Sequence, residues 1–143
     1  TTEIYTLSLH DALPIYVFVT VDGKYADGTQ LAATRFPEDN TWEVISGQSL
    51  GPNVVLFAGE VRGGITLEVK FQEQDAGGLL SIANDSLGGF KLELAADRAI
   101  TITPNKKTED KGTLNSTRLF TLTGSNAVYH IELGLYEKVS LLN

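Results

Sequence analysis

A chain of 143 residues, 42% hydrophobic and 20% charged, can build one domain with its own core and is too short for two ordinary ones. Eighteen acidic against eleven basic residues leave a net charge of −7, the wrong sign for holding phosphate backbones or anionic membranes by long-range attraction. With no Cys there are no disulfides, thiolate zinc sites, iron–sulfur clusters or thiol nucleophiles, and no run approaches the roughly 20 apolar residues of a membrane-spanning helix.

Residues 1–15, TTEIYTLSLHDALPI, resemble the translation of one reading frame of a widely used short-read sequencing adapter, over all fifteen positions. The resemblance implies that His10 and Asp11 carry no functional weight, as for the residues of a tag. It also implies that the native start has been replaced and that the gene comes from a metagenomic or draft assembly, so the sequence assigns no compartment. EIYTLSL alternates well enough for a strand, and residues 4–9 are expected in the slot of a missing first strand.

From Tyr16 onward the period is two, the signature of strands. YVFVTV (16–21) is a β-branched and aromatic run expected to stop at the turn dipeptide Asp22-Gly23. Asp27-Gly28 repeats that punctuation. TQLAATRF (29–36) is a weaker strand ending at Pro37, and TWEVI (41–45) leads to a loop with Gly47, Gly51 and Pro52. VVLFAGEVR (54–62) and ITLEVKFQ (65–72) are predicted to pair as a hairpin about Gly63-Gly64. In the second, Ile65, Leu67, Val69 and Phe71 share one face and Thr66, Glu68, Lys70 and Gln72 the other, a half-buried antiparallel strand.

Residues 75–89 are expected as a long loop with one helical turn at 79–83. FKLEL (90–94), AITIT (99–103), RLFTLT (118–123) and AVYHIELGLY (127–136) supply four more strands, and NKKTEDKGTLNS (105–116) reads as a solvated loop. Eight or nine short strands at regular spacing predict one all-β domain over 16–143, a single antiparallel sandwich. The expected core is Val17, Val19, Trp42, Val44, Ile65, Leu67, Val69, Phe71, Leu92, Ile100, Phe120, Leu122, Tyr129, Ile131 and Leu133.

Chemistry-bearing groups are sparse. Outside the adapter-like segment His130 is the one histidine, two residues from Glu132 on the polar face of its strand, a solvent-facing pair or an acid–base pair. No serine sits in G-x-S-x-G and no glycine loop opens a helix, so catalysis is not expected. Glu73 and Asp75 lie two apart at a strand end, and Asn84-Asp85 return after the loop. Four oxygen-bearing side chains converging there suit a hard cation such as Ca2+, which takes 6–8 oxygens in irregular geometry. A polar loop whose carboxylates cap turns is the alternative.

FQEQD followed by NDSLGGFKLEL resembles the third calcium-loop region of C2-like domains. YVFVTVDG is similar to the strand that follows the first calcium loop there, and FTLTGSNAVYHIEL to a closing hairpin, so the likeness covers most of 16–137. It implies a C2-like sandwich in which Glu73, Asp75 and Asp85 face the cation. Three features depart from the pattern: Glu at 73 where Asp is commoner, a longer 75–84 loop, and no lysine-rich concave strand. The expected role is a non-catalytic module for a protein partner or self-assembly, without nucleic acid, and for membranes only with calcium. A structural subunit of a secreted or surface assembly is the alternative, favoured by abundant Thr, Gly and Ala. A carbohydrate-binding sandwich is the second, with Trp42, Tyr25 and Tyr136 as aromatic platforms, although parity pairs Trp42 with Val44 as core.

Overall fold

The computed structural model describes residues 15–44, 54–74, 85–104, 110–123 and 128–137. None of them is helical. The strands are β1 (Ile15–Tyr25), β2 (Thr34–Phe36), β3 (Trp42–Val44), β4 (Gly64–Gln74), β5 (Asp85–Ala95), β6 (Ile100–Pro104), β7 (Asp110–Gly112), β8 (Ser116–Thr123) and β9 (Val128–Leu135). All pairings are antiparallel. One sheet runs β2-β1-β4-β5-β6-β7, with β3 also pairing β1, and a second consists of β8 and β9.

The register explains which residues form the core. Rows of directly opposed residues cross the large sheet: Val21–Val69–Phe90, Gly23–Leu67–Leu92–Ile102 and Tyr25–Ile65–Leu94–Ile100. Each row places β-branched, leucine or aromatic side chains on one face, where cross-strand contact stabilises the sheet. Onto this face packs the β8–β9 hairpin. Leu122 and Leu135 join Ile100 and Ile102 in one buried cluster, and Phe120 meets Phe90 edge to face at 5.0 Å between centroids. Ile102 and Leu122, one from each layer, are both 0% exposed. The result is two antiparallel sheets face to face in the manner of a sandwich, open at their edges. The expected core is borne out at Val17, Val19, Ile65, Leu67, Val69, Leu92, Ile100 and Leu122, all buried. Trp42, Phe71, Phe120, Ile131 and Leu133 pack half-buried against it.

Several expected boundaries are corrected. Asp22-Gly23 does not stop β1; the ladder runs through it, Asp22 opposite Glu68 and Gly23 opposite Leu67. At Gly23 the tips of Leu31 and Leu67 close over the backbone: a Cβ would lie 2.5 Å from Leu31 Cδ1 and 2.8 Å from Leu67 Cδ2, so those two side chains would have to shift. The turn comes at Asp27-Gly28, where Gly28 has φ +93° and the Thr29 N–H donates to Asp27 Oδ1 at 2.8 Å. Only Thr34–Phe36 of the 29–36 run is strand, apart from an isolated bridge of Gln30 to Lys24.

Residues 54–62 form no strand, and the hairpin about Gly63-Gly64 does not form. Both edges of β4 are taken, by β1 and β5. The segment instead lays Leu56, Phe57 and Val61 against the core and leaves Val55 exposed. Residues 85–89 are strand rather than loop, and Asp110–Gly112 pairs with β6 rather than remaining a solvated loop. Phe18 is buried as well as Val17 and Val19, so β1 is covered on both faces there, with the Arg35 guanidinium 4.4 Å from the Phe18 ring centre. The strand expected at 4–9, the helical turn at 79–83 and the loop at 45–53 lie outside the described residues, as does the Tyr129 side chain.

Candidate functional site

The acidic residues singled out in the sequence lie where β4 ends and β5 begins. β4 alternates Phe71, Gln72, Glu73, Gln74, and parity puts Glu73 on the same face as Phe71, in the row Val17–Glu73–Asp85. Glu73 and Asp85 are direct register partners. That places their Cα atoms about 4.5–5.5 Å apart. Glu73 is half-buried.

The pairing depends on an irregularity. Phe71 faces Gly88 whereas Gln72 faces Ser86, so β5 carries one extra residue, Leu87, at a bulge. Leu87 is buried, Gly88 takes φ +97°, and its N–H donates to Ser86 Oγ at 3.3 Å. Without the bulge Glu73 would face a different residue. The extra residue is therefore what sets Glu73 and Asp85 at opposed positions of the ladder.

Acidic residues at opposed positions near a strand end are the residue type that a hard cation with oxygen ligands would use. Two carboxylates supply at most four oxygens, so a calcium shell would need ligands from elsewhere. Asp75 and Asn84, the other two sequence candidates, lie outside the described residues. Among the described residues no group of three or more His, Asp or Glu side chains is placed to hold a metal ion.

The remaining candidates are spread over the fold. His130 and Glu132 are exposed on the outer face of β9, and His130 Nδ1 lies 3.3 Å from Thr121 Oγ1. Of the three aromatic platforms, Tyr25 is buried with the Arg62 guanidinium 4.8 Å over its ring, and Trp42 packs half-buried on the core. Tyr136 alone of the three is open to solvent, at 72% exposure. Its neighbours on that face include Thr117 and Leu119, which were not singled out in the sequence. Parity along RLFTLT and HIELGLY is the signal that would have gathered them.

Asp27 sits in the turn that follows β1. Hydrogen bonds from the Thr29 backbone N–H and hydroxyl hold its carboxyl below the usual aspartate range. That group shapes the turn after β1 and lies on a different part of the chain from the acidic end.

Comparison of the chain with protein-family models, with curated proteins and with solved structures finds no match.

Proposed function

We propose that this chain is a non-catalytic binding module of C2-like type that takes Ca2+ at the end of β4 and β5. Glu73 and Asp85 are the strand-borne ligands, and Asp75 and Asn84 complete the set from the connection between the strands. The observation that carries this reading is the register pairing of Glu73 with Asp85. Two acidic residues whose backbones are already fixed at opposed ladder positions lose less freedom on binding an ion than the same residues in an unstructured segment would. Calcium also supplies the positive charge that a chain of net −7 lacks, so occupancy would change which surfaces this end attracts. A protein partner meeting the loaded end is the use this favours.

The test is calorimetric titration of the chain with CaCl2, beside melting curves in calcium and in chelator. Saturable heat and a higher melting temperature in calcium are expected, and both should weaken in Glu73→Gln and Asp85→Asn. Flat titrations and superimposable melting curves would reject the cation, leaving the fold without this role.

A further inference from the structure

The outer face of the β8–β9 hairpin gathers a second set of binding groups, apart from the acidic end and independent of the cation reading. Thr117, Leu119 and Thr121 on β8 alternate outward and are exposed, as are His130, Glu132 and Gly134 on β9. They form three opposed pairs, Thr117–Gly134, Leu119–Glu132 and Thr121–His130. Tyr136, just beyond β9, closes the row at the Gly134 end.

The Tyr136 ring is held there although it stands in solvent. Its edge rests over Gly134, so close that a Cβ on that residue would lie 2.7 Å from Cε2. Its hydroxyl is 3.2 Å from Thr117 Oγ1. The backbone on either side is tied as well. The Asn115 N–H donates to the Leu135 carbonyl, the Glu137 N–H donates to Asn115 Oδ1 at 3.2 Å, and Glu137 pairs with Arg98 at 2.9 Å. A ring fixed at its edge and its oxygen, yet 72% exposed, offers an apolar face whose ordering cost has already been met by the fold.

Beside that face lie hydroxyl, carboxylate and imidazole groups, donors and acceptors suited to vicinal hydroxyls. A pyranose presents both matching surfaces, an apolar C–H face and a rim of hydroxyls. Two-residue steps along a strand advance about 7 Å. The row from Gly134 to His130 therefore accommodates a short oligosaccharide rather than one sugar. The Glu132 carboxylate and the net charge of −7 disfavour uronic or sulfated chains, which leaves a neutral glycan.

The geometry points to this face as a binding site for a neutral pyranose oligosaccharide, with Tyr136 as the stacking platform and Thr117, Glu132 and His130 meeting hydroxyls. The test is calorimetry of the full chain with cellohexaose, mannohexaose and xylohexaose. At least one should bind, and Tyr136→Ala should weaken it by about tenfold or more. Gly134→Ala keeps the ring but pushes it from its seat, and should weaken binding several-fold. Both variants should melt with the parent protein, since the affected side chains are exposed. Absence of binding by all three sugars at millimolar concentration overturns the proposal, as does binding that Tyr136→Ala leaves unchanged. A dimer in light scattering that Tyr136→Ala dissolves would give the face to a second copy of the chain and also overturn it.

Discussion

Replacing Leu122 by alanine removes three carbons from a side chain that is 0% exposed and sits between the two sheets. At about 0.8 kcal/mol per buried methylene, the transfer loss is roughly 2.4 kcal/mol. A residual cavity of about 50 Å³, at about 24 cal/mol per Å³, adds roughly 1 kcal/mol, for about 3–4 kcal/mol in all. Leu119 lies on the same strand with its side chain on the opposite face, 74% exposed. Its replacement by alanine should cost within about 0.5 kcal/mol. Urea unfolding followed by the fluorescence of Trp42, the single tryptophan, measures both, because Trp42 packs against the core. The thermal midpoint should fall by roughly 10 °C for Leu122→Ala and hardly at all for Leu119→Ala. Costs within about 1 kcal/mol of each other would refute the reasoning, since they would mean that the hairpin is not seated on the large sheet.

Gly89 lies opposite Lys70, and a Cβ there would run into the Val69 carbonyl oxygen in the middle of the ladder. Gly89→Ala should therefore cost about 3 kcal/mol or more by the same unfolding assay, because backbone rather than a side-chain tip must move. The Asp27 carboxyl, held down by its bonds to Thr29, should titrate in carboxyl-carbon NMR below the ordinary 3.8. Its folded value is depressed, so its contribution to stability is present above about pH 4 and is lost as the pH falls through the folded value. Asp27→Ala should remove that part of the acid dependence.

The sheets were legible in the sequence wherever alternation and a ladder agree. In ITLEVKFQ the buried Ile65, Leu67 and Val69 match the predicted face residue for residue. The hairpin of β8 and β9 was legible for the same reason. VVLFAGEVR is an apolar, β-branched run beside a glycine turn, yet it is not a strand, because β1 and β5 occupy both edges of β4 and local pattern carries no information about which edges remain. Asp22-Gly23 misleads in the opposite sense. A dipeptide that favours turns is overridden by the ladder to β4, and the missing side chain makes room for Leu31 and Leu67. Asp110–Gly112 is polar because it lies at a sheet edge, where charged residues are the norm, so its composition imitates a loop.

The acidic end was legible as composition and not as geometry. Spacing alone gathers Glu73 and Asp85 at the two ends of one connection. Their direct opposition follows from the bulge at Leu87, a one-residue insertion in the ladder that no periodicity announces. The Tyr136 platform shows the same limit. An aromatic near a strand end is visible in the sequence, but its seat on Gly134 and its bond to Thr117 come from the pairing of β8 with β9.

Backbone amide NMR of the chain, titrated with CaCl2 and separately with MgCl2, tests the cation reading most directly. Calcium should shift the amides of residues 72–74 and 85–88 in a saturable way and leave the β8–β9 hairpin unmoved. Magnesium, which resists dehydration and irregular coordination, should do so far more weakly. Amides at Glu73 and Asp85 that ignore calcium, or shifts scattered evenly over the acidic surface, would contradict the account.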